Sequence, residues 1–281
     1  VTTSFGERVR GVLDAHGPLC VGIDPHASLL DAWGLGQDAA GVREFGLRTV
    51  EAAAGRAGIV KPQVSFFERF GSPGFAALED VLAAARDAGL LVIADAKRGD
   101  IGTTMDAYAT AWLTPGSPLE ADALTVNPFL GVGALDGTFA LAHEHGKGVF
   151  VLAATSNPEA LPLQRAESAT GRTVSADIVS VVSARNAEHV AAGEWGGIGF
   201  VVGATVDWTD AGLAAFAPPA PILAPGFGAQ GATPADLHRR FGSMSRTVIA
   251  SESRSILASG PAGLEDAIDA RVADYREAHR G

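Results

Sequence analysis

Cysteine, lysine, tyrosine and methionine are all scarce in this 281-residue sequence, and long apolar runs are missing. A lone cysteine, Cys20, excludes an internal disulfide. Lying in the apolar run LCVGID, it reads as a core thiol of a reducing compartment rather than a nucleophile. No apolar run approaches the roughly 20 residues of a membrane-spanning helix, and VTTSFGERVRG at the start has no apolar centre of a signal peptide. A soluble, cytoplasmic protein is expected. Positive charge is short as well. The formal net charge of −11 argues against a general nucleic-acid or anionic-membrane surface, so any phosphate must be held by a local cluster. Only three of the 21 basic residues are lysine: Lys61, Lys97 and Lys147. Arginine already supplies routine surface charge here, so an interior lysine marks a place for a compact ammonium that can give up a proton.

What is abundant is apolar residues in short β-branched runs, in a chain 47% hydrophobic and 19% charged. The composition is that of a globular protein. Eight such runs read as strands, at 19–24, 58–63, 90–97, 123–127, 148–154, 198–205, 221–226 and 247–252. Helical patterns alternate with them, among them AALEDVLAAARDAG, SADIVSVVSARNAEHVAAG and the final LEDAIDARVADYREAHRG. Near-continuous apolar strands alternating with helices imply a parallel sheet covered on both faces. Eight units in a chain of this length point to a single (β/α)8 barrel, with a doubly wound open sheet as the rival. No linker or composition break divides the sequence, and one catalytic domain over residues 1–281 is expected.

A barrel gathers its chemistry where strands end. The ends of these strands carry Asp24, Lys61, Asp95, Lys97, Asn127, Gly226 and Glu252, a polar concentration that a plain core would not tolerate. Asp95 and Lys97 are two apart on one strand and so share a face, with Cα atoms about 6–7 Å apart. Lys61 falls on the neighbouring strand and Asp24 one strand beyond; Asp100 opens the following loop. An alternating row of lysine and aspartate keeps each charge partnered in a site with little water. Opposite charges 4 Å apart attract by about 4 kcal/mol at an effective dielectric of 20. Such stiff, pre-aimed charge suits a transition state with localised charge, although a structural ion network at a barrel mouth is the plainer reading. The tripeptide Arg98–Gly99–Asp100 matches a cell-adhesion motif by chance.

PGFGAQG (225–231) has the G-x-G-x-x-G spacing of a dinucleotide fingerprint, but six βα units precede it and only one follows. In a barrel the same glycines serve better as a phosphate cradle after strand seven, with Gln230 as an amide donor and Arg254 as a bidentate clamp. His143 and His145 read as a solvated helix end at the opposite face, with Lys147 on the same surface. The long segment after strand five reads as a lid or a wandering loop, and its Ser156 lies close enough to the strand to touch a ligand.

The D-x-K-x-x-D motif of Asp95, Lys97 and Asp100, followed by IGTT, together with Lys61, PGFGAQG and Arg254, resembles the orotidine 5′-phosphate decarboxylase family, and DAKRGDIG its longer bacterial branch. The resemblance spans all eight predicted strands. It implies decarboxylation of orotidine 5′-monophosphate (OMP) to UMP in de novo pyrimidine biosynthesis, without metal or organic cofactor. In that reading Lys97 protonates C6, and Asp95 sits beside the departing carboxylate, acting by repulsion or by fixing Lys97. Lys61 and Asp24 bind ribose hydroxyls, Ser156 the pyrimidine, and Gln230 and Arg254 the phosphate. The resemblance also implies a homodimer in which Asp100 and Thr104 reach the neighbouring active site. Three rivals stay open. A Mg²⁺-dependent sugar-phosphate synthase or lyase of the same superfamily would have Lys61 repelling its metal. A Schiff-base aldolase would need a neutral lysine, which the flanking carboxylates disfavour. A non-catalytic barrel would bind a nucleotide and turn nothing over.

Overall fold

Strands form where the apolar runs lie, and they close on one another. The computed structural model describes residues 3–280, and its eight parallel strands form a closed barrel in sequence order. They are β1 (Leu19–Ile23), β2 (Ile59–Pro62), β3 (Leu91–Arg98), β4 (Ala123–Val126), β5 (Gly148–Ala154), β6 (Ile198–Val202), β7 (Ile222–Pro225) and β8 (Val248–Glu252). Closure pairs β8 with β1, which excludes the open-sheet rival. A helix α1 (Phe5–His16) precedes β1. Outer helices follow as α2 (Ala39–Ala53), α3 (Gly71–Asp87), α4 (Gly102–Leu113), α5 (Asp136–Glu144), α6 (Val174–Ala187), α7 (Asp236–Phe241) and α8 (Gly260–Arg280). The sixth connection departs from the expected alternation. Residues 203–221 run as turns and irregular segments, and Pro218, Pro219 and Pro221 bar a helix over the last of them. No helix among the described residues is long and apolar enough to cross a membrane.

The alternation of side chains along each strand splits the apolar residues into two cores. One face packs against the outer helices. The other fills the barrel with Cys20, Ile59, Leu91, Ile93, Ala123, Phe150, Val201, Leu223 and Ile249. Burial pushes the Cys20 thiol up to about 12, which leaves almost no thiolate at neutral pH and agrees with a core role.

Helix α1 closes the N-terminal end of the barrel. Phe5, Val9 and Leu13 lie against the interior side chains, with the Phe5 ring edge-on to Phe150 at 6.0 Å between centroids. Gly148 lets this plug seat, since a Cβ there would collide with the Phe5 ring. Beside it, Lys147 is buried rather than on the surface that the sequence suggests. Its Nζ pairs with Glu120 at 2.7 Å and lies 3.8 Å from Asp122, which also takes Arg8. Asp122 accepts the Val92 N–H as well, so this network ties the strand starts together. This end is plugged and charge-locked, and the charged row that the sequence singles out stands at the other, C-terminal end of the strands. Phe5→Ala is expected to cost about 3–5 kcal/mol of stability in urea denaturation and to leave the charge row at the other end intact.

Candidate active site

Three adjacent strand ends bring the charged row together. Asp95 and Lys97 come from β3, Lys61 from β2, and Asp24 follows β1 directly. Asp95 is the hub. Its Oδ2 accepts from Lys61 Nζ at 2.8 Å, and its Oδ1 accepts from Lys97 Nζ at 2.5 Å. Thr125 of β4 adds a third contact, its Oγ1 donating to Asp95 Oδ1 at 3.0 Å while accepting the Lys97 N–H at 2.9 Å. Lys61 and Asp95 are buried, whereas the Lys97 side chain remains 44% exposed toward the opening. Lys97 also holds a φ of 49°, in the left-handed region.

Burial alone would drive Lys61 and Asp95 toward neutrality, and their mutual attraction reverses this. Desolvation lowers the Lys61 ammonium, but the charges of Asp95 and Asp24 outweigh it and hold Lys61 above its ordinary value. Desolvation likewise raises Asp95, and Lys61 and Lys97 outweigh it, holding the carboxyl well below the usual range. The depressed Asp95 contributes stability that is present above its unfolded value and lost as pH falls through the folded one. The raised Lys61 contributes stability that is present below its unfolded value and lost as pH rises through the folded one. The pair therefore stays ionised across the neutral range.

These groups line one side of a cavity of about 340 Å³. Gln63, two residues beyond Lys61 and so on the same face, lines it too and donates to the Asp95 carbonyl at 3.2 Å. Asp24 Oδ1 is buried there with no hydrogen-bond partner among the described residues, an acceptor left for something else. The opposite side is built by the loops after β7 and β8, with Gly226, Gln230, Ser253 and Arg254 in the lining. All three glycines of the G-x-G-x-x-G turn have positive φ. The turn sits after the seventh strand of a closed barrel rather than at the head of a Rossmann unit. Gly228 is needed for a further reason, because a Cβ would run into Ser255 Oγ and the Glu252 carboxylate.

Glu252, expected at the polar mouth, is instead buried behind this turn. It accepts from Ser255 Oγ at 2.6 Å and Tyr275 OH at 2.9 Å, and pairs with Arg271 at 3.0 Å. Burial first, and then the Glu252 charge, push the Tyr275 phenol far above its ordinary value, so it remains a donor. Glu252 thus braces the loop that carries Gln230 and the turn that carries Arg254. The segment after β5 is also anchored. Gln164 closes two hydrogen bonds of 2.9 Å on Thr155, which sets Thr155, Ser156 and Asn157 on the cavity wall.

Eight of the residues singled out in the sequence therefore meet in one cavity: Asp24, Lys61, Asp95, Lys97, Ser156, Gly226, Gln230 and Arg254. Asp100 and Thr104 do not join them within the chain. Asp100 accepts from the Ile101 N–H at 2.8 Å, and Thr104 stands exposed on the first turn of α4. Asn127 lies outside this cavity, its amide oxygen turned to the Phe129 N–H at 3.0 Å. Gln63 was legible from the parity of KPQ, whereas nothing local in ALTVN marks Thr125 as a partner of Asp95. By formal charge, the cavity's Asp24, Lys61, Asp95, Lys97 and Arg254 leave a local excess of one positive charge in a chain of −11. Such a site can hold an anion at one end and meet developing negative charge at the other.

Comparison with known proteins agrees with this geometry. A model of the orotidine 5′-phosphate decarboxylase / HUMPS family matches residues 17–264. The orotidine 5′-phosphate decarboxylase of Salinispora tropica is 51% identical over 280 residues, covering 99% of both chains. That of Corynebacterium efficiens is 50% identical over 283 residues, covering 98% of both. A crystal structure from Streptomyces avermitilis, of a protein provisionally given the same name, superposes with a TM-score of 0.94 at 48% identity, over 100% of this chain and 97% of that one. Leishmania donovani OMP decarboxylase gives 0.79 at 28% identity, over 99% and 100%. On the matched length and these identities, the chain belongs to the orotidine 5′-phosphate decarboxylase / HUMPS family.

Proposed function

We propose that the protein is a carboxy-lyase that converts OMP to UMP, the closing step of de novo pyrimidine synthesis, without metal or organic cofactor. The observation that carries this reading is the 2.5 Å pairing of Lys97 Nζ with Asp95, across the cavity from Gln230 and Arg254. The cavity volume lies within the usual range of roughly 300–1,000 Å³ for small-molecule sites. The substrate phosphate is bound by Gln230, Arg254 and the glycine turn. Asp24 and Lys61 take ribose hydroxyls, a role that suits the unpartnered buried oxygen of Asp24. Ser156 contacts the pyrimidine.

The carboxylate at C6 is then set beside Asp95. As the C6–carboxylate bond breaks, its electron pair stays on C6, carbon dioxide leaves, and Lys97 Nζ gives C6 a proton. Solvent restores the ammonium. A fixed positive charge beside C6 stabilises the carbanion that forms there. Metal independence is supported by the state of Asp95, both of whose oxygens are already occupied by lysine ammonium groups. A divalent cation at that carboxylate would have to displace Lys61 and Lys97.

We read residues 1–281 as one catalytic domain that works in the cytoplasm as a homodimer, Asp100 and Thr104 entering the neighbouring subunit's site. The support is exposed apolar surface on the segments that follow β3 and β4. Ile101, beside Asp100, is 62% exposed, and Phe129 and Leu130, just after β4, are 71% and 53% exposed.

Two outcomes are expected. Purified protein consumes OMP in excess EDTA, followed by absorbance, and Lys97→Ala lowers kcat by at least about 10³-fold. Activity lost in EDTA and restored by Mg²⁺ would point instead to the metal-dependent relatives. Sedimentation gives a dimer, and mixing Lys97→Ala with Asp100→Ala subunits restores turnover, because a hybrid dimer keeps one intact shared site. Two inactive variants that stay inactive when mixed would rule out shared sites.

A further inference from the structure

Thr125 is fully buried and stands outside the cavity lining, yet it joins both ends of Lys97. The β3–β4 ladder is regular through Ile93↔Ala123 and Ala94↔Leu124 and resumes at Arg98↔Val126. Four residue steps on β3 are thus set against two on β4, and the extra length is the segment that holds Asp95 and Lys97. The N–H groups in such a bulge lose their regular ladder acceptors. Thr125 Oγ1 accepts the one from Lys97 at 2.9 Å, then donates onward to Asp95 Oδ1 at 3.0 Å. Asp95 Oδ1 in turn accepts from Lys97 Nζ at 2.5 Å. The three contacts close a ring from the lysine backbone, through the hydroxyl and the carboxylate, back to the lysine ammonium. A hydroxyl both accepts and donates strongly through one atom in that way, and a thiol does so only weakly. It holds Lys97 at a φ of 49°, which a residue with a Cβ adopts only when its surroundings impose it.

We propose that Thr125 is a positioning residue for the decarboxylation: its hydroxyl locks the left-handed Lys97 backbone and the Asp95 carboxylate together, so that the ammonium is aimed before substrate arrives. This rests on the OMP reading above, since it assigns Thr125 a task in that reaction. The residue touches no substrate and acts through Lys97 and Asp95. A shift of about 1 Å in a reacting group is enough to cost on the order of 10²-fold in rate.

The test is steady-state kinetics on OMP for the wild type, Thr125→Val and Thr125→Ser, each checked for folding by circular dichroism. Valine keeps the shape and removes the hydroxyl. Its kcat is expected to fall by about 10–100-fold with KM within about threefold, the pattern of an interaction that matters only in the transition state. Serine is expected to recover most of the loss. A valine variant with wild-type kcat, a rise in KM alone, or an equal loss in serine would overturn the proposal. If valine fails to fold, Thr125→Cys, with its weak thiol donor, takes its place under the same criteria. If the folded wild type leaves OMP untouched, the functional reading fails, and the crystal structure of Thr125→Val then decides the positioning claim. Lys97 leaving the left-handed region and drawing away from Asp95 would uphold it; unchanged geometry would overturn it.

Discussion

The site depends on one carboxylate that two ammonium groups hold ionised in a buried place. Asp95 at the end of β3 is charged because Lys61 and Lys97 bracket it, and Lys61 is tolerated in the barrel because Asp95 faces it. Taking either away leaves a buried charge uncompensated, an outcome far costlier than the pair's net contribution to stability. The row is therefore a poor device for stability and a good one for chemistry. It keeps a proton-bearing ammonium fixed beside negative charge, with no solvent reorganisation needed when charge develops.

The fold exists in the form that this constraint needs. Sequential closure sets β2, β3 and β4 side by side, which is what makes Lys61, Asp95 and Thr125 neighbours although they lie 30 or more residues apart in sequence. The same closure brings β8 back to β1 and with it Arg254 to the side of the cavity across from Lys97. At the far end, α1 and the Lys147–Glu120–Asp122–Arg8 network seal the barrel. Two lysines are thus buried for opposite purposes. Lys147 serves the closed end and Lys61 the open one.

Much of this is legible in the sequence. The strands announce themselves as short β-branched runs, and the inward parity of Asp24, Lys61, Asp95 and Lys97 follows from period two along a strand. The glycine spacing of 226–231 marks the loop after β7 that lines the same cavity. What the sequence hid was non-local. The pairing of Thr125 with Asp95 needs the β3–β4 register shift, which no propensity reveals. Glu252 looked like a mouth residue, but it ends its strand with the side chain turned toward Tyr275 and Arg271 of the last helix. Lys147 looked solvated because it follows His143 and His145, and its burial comes from Glu120 and Asp122, on another segment. Asp100 and Thr104 stand outside the cavity of the charge row, and the reading proposed above gives them their task in a partner subunit.

The most direct test of the central claim is a ¹³C NMR titration of the Asp95 carboxyl in aspartate-labelled protein, assigned with Asp95→Asn. The charge row requires Asp95 to stay ionised well below the ordinary carboxylate midpoint of about 3.9, titrating only as acid unfolds the protein. A midpoint at or above that ordinary value in the folded state would mean that Lys61 and Lys97 do not hold the carboxylate, and the account of the site would be wrong.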